Sequence, residues 1–141
     1  MEDRYLFKAK RIDNGEWEIG SLIALPTGEY EISNKCNNPP DCDPMWDKVV
    51  ITHKVDPSTI CQCTGLKDKN GKWIWENDVV RDGHGNLYKA FWQNNYYQFS
   101  WICVKSDVLI GSKLDLWDFK SFEIEVIGNI FDNPELLESE G

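Results

Sequence analysis

Tight polar turns punctuate this chain so often that long helices are excluded. Asn-Gly stands inside a short polar loop twice, at Asp13-Asn14-Gly15 and at Asp68-Lys69-Asn70-Gly71. The pair supplies the left-handed backbone that a tight hairpin requires. Tyr5–Ile12 and Trp17–Leu25 flank the first loop; Cys61–Lys67 and Trp73–Glu76 flank the second. Further turn signals at Pro26-Thr27-Gly28, Asp82-Gly83-His84-Gly85-Asn86 and Gln93-Asn94-Asn95 leave extended pieces between them. These are Glu29–Ser33, Lys48–Val55, Asp78–Arg81, Leu87–Trp92, Tyr96–Val104 and Phe122–Phe131. Short alternating segments broken every ~8–12 residues predict an all-β, mainly antiparallel fold, a turn-rich meander or barrel. Gly128, near the end of the last segment, suits a bulge. Ser106–Trp117 fits neither period clearly. One short helix is expected at Pro134–Ser139, with Asn133 as its cap, Pro134 in first position and Glu135 near the positive end of the dipole.

Prolines 39, 40 and 44 break the chain in "NKCNNPPDCDPMW", because they remove backbone donors and bar a central strand. This irregular loop, 34–46, separates two periodic regions and lies within an expected N-terminal β subdomain, 1–57, which a C-terminal one, 58–141, follows. With 41% hydrophobic residues and seven Trp, the chain can build a packed core. Its net charge is −9, and between Asp107 and Gly141 nine acids face two bases. Phosphate binding needs clustered Lys and Arg, so nucleic acid is disfavoured as a partner. An acidic face favours solubility and can meet a basic partner. No apolar run reaches the ~18 residues of a membrane span, and the charged start lacks the pattern of a signal peptide. Five cysteines, an odd number, fit reduced thiols better than a disulfide framework.

Candidate chemistry is sparse. Cys36 with Cys42 and Cys61 with Cys63, together with His53 or His84, could give four metal ligands, but they lack the close paired spacing of zinc sites. Cys61 and Cys63 are expected to point to opposite faces of their strand. "DGHGN" has neither the lysine nor the helix of a phosphate loop. Asp78, just before Val79-Val80, reads as an acid that bonds backbone N–H groups between two strands. The residues therefore predict no enzyme, no catalytic residue, no metal and no cofactor. Half of the aromatic run "FWQNNYYQFSW" is expected to face a core by strand alternation, the commoner reason for such content. Its members beside the turn, Trp92, Tyr96 and Tyr97, are the candidate interaction surface.

Three stretches together carry a family resemblance: "AKRIDNGEWEIGSLI", "VDPSTICQCTGLKDKNGKWIWENDVV" and "FEIEVIGNIFDNPELL". Over roughly Tyr5 to Leu137 the chain resembles the YopX family of phage and prophage proteins. The matching positions are Thr64, Gly65, Leu66, Asp68, Gly71 and Asp78, then Glu125 to Asn129, Asn133, Pro134 and Leu136. Cys61 and Asn77 stand where the pattern has Gly. The resemblance implies a small β protein with a barrel-like C-terminal part, SH3-like or partly open, working in the bacterial host cytoplasm. It brings no catalytic residue. The leading expectation is a non-enzymatic module for binding a phage or host protein or for self-association. The alternative is a small barrel that binds single-stranded nucleic acid by stacking its aromatics.

Overall fold

The computed structural model describes residues 6–35, 50–94, 98–106, 110–115 and 118–137. The chain forms two compact units, Met1–Gln62 and Cys63–Gly141, and its strands are antiparallel throughout.

In the first unit, β1 (Phe7–Lys10), β2 (Trp17–Ala24), β3 (Tyr30–Lys35) and β4 (Val50–Val55) lie in the order β4-β3-β2-β1. The free side of β1 takes the start of β5 (Cys61–Lys67) through Phe7↔Gln62 and Lys8↔Cys61. The first Asn-Gly loop closes where Lys10 meets Trp17. There the Arg11 N–H donates to the Glu16 carbonyl at 2.8 Å, and Gly15 holds φ at 73°. Gly20 is needed for a different reason: a Cβ there would overlap the backbone carbonyl of Ser33 on β3. The C-terminal ends of β1 and β4 come together. Arg11 bridges Val55, the Ile12 N–H donates to Lys54 (3.1 Å), and the Asp56 N–H donates to Lys10 (2.8 Å). Ala9, Ile32 and Val55 form the core, with Phe7, Leu22, Tyr30 and Ile60 packed against them. A 3-10 turn follows at Pro57–Thr59, where Asp56 accepts from the Ser58 N–H and the Lys10 N–H donates to the Thr59 hydroxyl.

In the second unit the rest of β5 pairs with β6 (Trp73–Trp75) at Cys63↔Trp75 and Lys67↔Trp73. That register leaves extra residues on β5, which bulges at Gly65 with φ 84°. The Thr64 hydroxyl bridges the bulge, donating to the Ile74 carbonyl at 2.7 Å and accepting from the Leu66 N–H at 3.2 Å. β7 (Asp78–Arg81), β8 (Leu87–Gln93), β9 (Gln98–Lys105), β10 (Lys113–Asp115) and β11 (Glu125–Asn129) form a second sheet in the order β10-β9-β8-β7-β11. Ile74, Val80, Tyr88, Ala90, Trp101, Cys103 and Ile124 make its core. Each large side chain buried this way stabilises the fold by roughly 1.5–3 kcal/mol over its exposed state, which offsets the entropy lost in ordering the chain.

Several expectations are corrected here. The sheet of the second unit is open: β10 and β11 stand at its edges, and no pairing among the described residues closes a barrel. In the first unit the ends of β1 and β4 approach each other instead, through the Arg11–Val55 bridge and the Ile12–Lys54 and Asp56–Lys10 backbone bonds. Asn34 and Lys35, read as loop, belong to β3; the rest of the proline-rich segment lies outside the described residues. Ser106–Trp117 contains β10, a strand that carries no strong period of its own. The last strand begins at Glu125, not Phe122, because Ser121–Glu123 forms a 3-10 turn. The expected bulge is present, between Val126 and Gly128. The expected C-terminal helix is a 3-10 turn, Pro134–Leu137. Asn133 Oδ1 turns back toward the strand and accepts from the Asn129 N–H at 3.3 Å, while its Nδ2 donates forward to Glu135 Oε1 at 3.5 Å. Cys61 and Cys63 share a face, as residues two apart on a strand must. Both are buried, with Gln62 half-exposed between them.

Candidate functional site

The polar residues of the middle and terminal stretches hold the backbone in place. Asp68 is 4% exposed. Its Oδ1 accepts from the N–H groups of Asn70 and Lys72, and its Oδ2 from that of Val126, each at 2.9 Å. The Lys69 N–H also donates to the Ile124 carbonyl at 3.0 Å. The second Asn-Gly loop is thus fastened to β11, 58 residues along the chain. Burial opposes the charge on Asp68, but the N–H groups of Val126, Lys72 and Asn70 prevail and hold its carboxyl below the ordinary value. Asp78, also buried, accepts from the Trp75 N–H at 2.8 Å across the turn from β6 to β7. Asn77 in that turn has φ 71°, the conformation for which glycine is the default. The Ile130 N–H donates to the Asn77 carbonyl at 3.2 Å, a further tie between the two stretches. Asn129 Oδ1 accepts from the Phe131 and Asp132 N–H groups, both at 2.9 Å. Gly128 leaves room for this turn, since a Cβ there would overlap the Asn133 side chain and press on Leu136.

The candidate nucleophiles and ligands are placed as follows. Cys61, Cys63 and Cys103 are buried and form no disulfide. Burial pushes the Cys103 thiol up, away from the thiolate that attacks or ligates. Cys36 and Cys42 lie outside the described residues. Among the described residues no three His, Cys, Asp or Glu side chains gather as a metal site would require. His84 is exposed in the turn after β7, where Asp82 Oδ1 accepts from the His84 and Asn86 N–H groups at 2.9 Å. Asp82 Oδ2 accepts from Asn86 Nδ2 at 3.0 Å and from the Tyr88 hydroxyl at 3.1 Å. Burial and that bond to Asp82 push Tyr88 up to about 12. His53 Nε2 lies 3.9 Å from Glu18 Oε1 in the first unit.

Of the candidate interaction surface, Trp92 is 39% exposed at the end of β8. It stands opposite Phe99 on β9, edge to face, with ring centroids 5.1 Å apart. Tyr96 and Tyr97 lie outside the described residues. Trp101, from the same aromatic run, is fully buried, and its Nε1 has no hydrogen-bond partner among the described residues.

One feature of the second unit has no counterpart in the reading of the sequence. A cleft of about 410 Å³ lies between the turn after β7 and the segment from Asp118 to Glu125, within the ~300–1,000 Å³ range of ligand sites. Ile124 and Phe119 give it an apolar floor; Phe119 packs edge to face on Tyr88 at 4.9 Å. Phe122 stands at its lip, 71% exposed. At one end Glu125 takes Arg81 at 2.8 Å and Lys69 at 3.4 Å. Asp118 and Glu123 complete the lining. The acids of "FEIE" are visible in sequence, but the strand period places Phe122 in a regular strand and hides the turn that exposes it.

Among the described residues no helix is long and apolar enough to cross a membrane. Comparison with curated proteins found no match. The family model described as YopX protein matches residues 7–138, a span that includes every motif residue placed above. The two distant stretches that carry the motif meet at Asp68 and β11, and the chain belongs to the YopX protein family.

Proposed function

We propose that this chain is a non-enzymatic accessory protein of a phage or prophage, acting in the bacterial host cytoplasm as a protein-interaction or self-assembly module. Membership of the YopX family suggests the phage or prophage association. The observation that supports a binding role is a division of labour among side chains. The motif carboxylates Asp68 and Asp78 turn inward onto backbone N–H groups, while large apolar side chains such as Trp92 and Phe122 stand in solvent. Interface hot spots favour exposed aromatics of this kind. The net charge of −9 argues against phosphate contacts as the source of affinity.

The test is capture of the tagged full chain from infected cells, with sedimentation of the purified protein. Wild type should retain a specific phage or host protein, or associate with itself. Trp92→Ala, or Tyr96→Ala with Tyr97→Ala, should weaken that association without lowering the melting temperature by more than a surface change does. A strictly monomeric protein that retains no partner and binds oligonucleotides with a steep salt dependence would refute the reading, and would make the aromatics a stacking platform.

A further inference from the structure

This inference rests on the interaction reading and gives it a second surface and a partner chemistry. We propose that the cleft between the turn after β7 and the Asp118–Glu125 segment seats a basic peptide segment of a partner protein, one with Arg or Lys beside an apolar residue.

The chemistry follows from which groups in the cleft are already engaged. Arg81 and Lys69 both pair with Glu125, so both cations are engaged within the protein, and its single charge offsets one of their two. Asp82 has both oxygens occupied by its own turn. Asp118 and Glu123 differ. Asp118 Oδ2 accepts from the Asp115 N–H at 2.8 Å, and Glu123 Oε2 from the Lys120 N–H at 2.9 Å. The second oxygen of each has no partner among the described residues. Each carboxylate is therefore held in place by one oxygen and presents the other. The lining holds four carboxylates against two cations, so the uncompensated charge is negative. An anionic ligand would meet that charge, whereas an Arg or Lys side chain would neutralise it with charge-assisted hydrogen bonds.

The apolar half of the ligand is specified by Phe122. An isolated exposed aromatic is ordinary, but this one stands beside the apolar floor of Phe119 and Ile124. A residue inserted there would remove apolar surface from water on both partners. The exposed Phe122 ring, in the same lining, offers such a guanidinium or ammonium group an aromatic face to which cations are attracted.

The experiment is an NMR titration of the isotope-labelled full chain at low salt. The probe is the synthetic peptide acetyl-Gly-Arg-Leu-Arg-Gly-amide, and the control has Glu in place of both Arg. The basic peptide should shift the backbone amides of Gly83 to Gly85 and of Phe119 to Glu125, and the acidic peptide should not. Phe122→Ala should weaken binding about fivefold, and its exposed position allows it to fold as the parent does. Asp118→Asn with Glu123→Gln should abolish the preference for the basic peptide, since the amides keep an acceptor for the backbone but lose the charge. No shifts, equal response to both peptides, or shifts centred outside the cleft would each overturn the proposal. In the cell-capture assay, a partner held equally by wild type and Phe122→Ala would also overturn it while leaving the interaction reading intact. A wild type that binds the basic peptide in the cleft, yet retains no protein and stays monomeric, would uphold the cleft and refute that reading.

Discussion

The two Asn-Gly loops are alike in sequence and unlike in use. In the first, Arg11 holds Asp13 by two bonds, at 2.9 and 2.7 Å, and Asn14 Oδ1 accepts from the Glu16 N–H at 2.9 Å. These bonds span two residues each, and Asp13 is exposed. In the second, the acid that opens the loop, Asp68, stands one residue further ahead of the Asn-Gly, but it is buried and reaches β11. One loop turns the chain; the other also fastens a distant strand. Turn chemistry alone does not distinguish them, because the residues that form a hairpin are local and the N–H of Val126 is not.

The largest effect should come from the acids. Asp68→Asn keeps a neutral acceptor for the loop but removes the charged one that serves Val126. It should cost about 2–4 kcal/mol in denaturant unfolding, as expected when a buried N–H loses its partner. Asp13→Asn should behave as an ordinary surface change. The difference should also depend on pH. The folded state holds the Asp68 carboxyl below its ordinary value, so it takes up that proton less readily than the unfolded chain. The stabilisation is therefore complete above the unfolded value of about 4 and is lost as pH falls through the lower folded value. The gap between wild type and Asp68→Asn should narrow over that acid range. A constant gap would place the effect in packing and not in charge.

Gly128→Ala ranks next. The new Cβ would displace Asn133 from the turn that follows β11, at about 1–3 kcal/mol, the usual cost of overpacking. Melting curves of this variant report whether the terminal motif depends on close approach, as Asp68 depends on a long reach.

The two turn glycines should be nearly equal, which sharpens the contrast between the acids. Gly15 and Gly71 have φ of 73° and 78°, and among the described residues, chain neighbours aside, a Cβ at either would have no atom within 4 Å. Gly15→Val and Gly71→Val should each cost roughly 1–2 kcal/mol of backbone strain, more than Lys69→Gln. A much larger cost at Gly71 would mean that the loop's own shape, and not Asp68 alone, secures β11.

The smallest effect is at Asn77. Its φ of 71° suits Gly, and the YopX resemblance places Gly there. Asn77→Gly should be close to neutral and Asn77→Ala should lose about 1 kcal/mol, both read from the urea midpoint. An Ala as stable as Gly would show that the turn tolerates another conformation.

Much of the fold was legible because its signals are local. β5 and β7 begin and end where alternation and turn residues place them, and Asp78 bonds a backbone N–H between strands as its position ahead of Val79-Val80 implied. What escaped depends on partners far along the chain. β10 is three residues that become a strand by pairing with β9. The end-to-end approach in the first unit rests on Arg11 finding Val55. The cleft joins a turn after β7 to a segment some forty residues later, at Arg81 and Glu125. Of the candidate surface, Trp92 lies near the end of β8 and is 39% exposed. Phe122 was missed because an apolar residue in an alternating run reads as core until a 3-10 turn rotates it outward.

Hydrogen exchange at the Val126 amide tests most directly whether Asp68 ties the two motif stretches together. At neutral pH, Asp68→Asn should lower the protection of Val126, with smaller losses at Asn70 and Lys72, while amides of the first hairpin such as Glu16 keep theirs. Asp13→Asn should leave Val126 as it is in wild type. If Val126 stays fully protected in Asp68→Asn, something other than this carboxylate secures β11 to the loop, and the two Asn-Gly turns differ in burial alone.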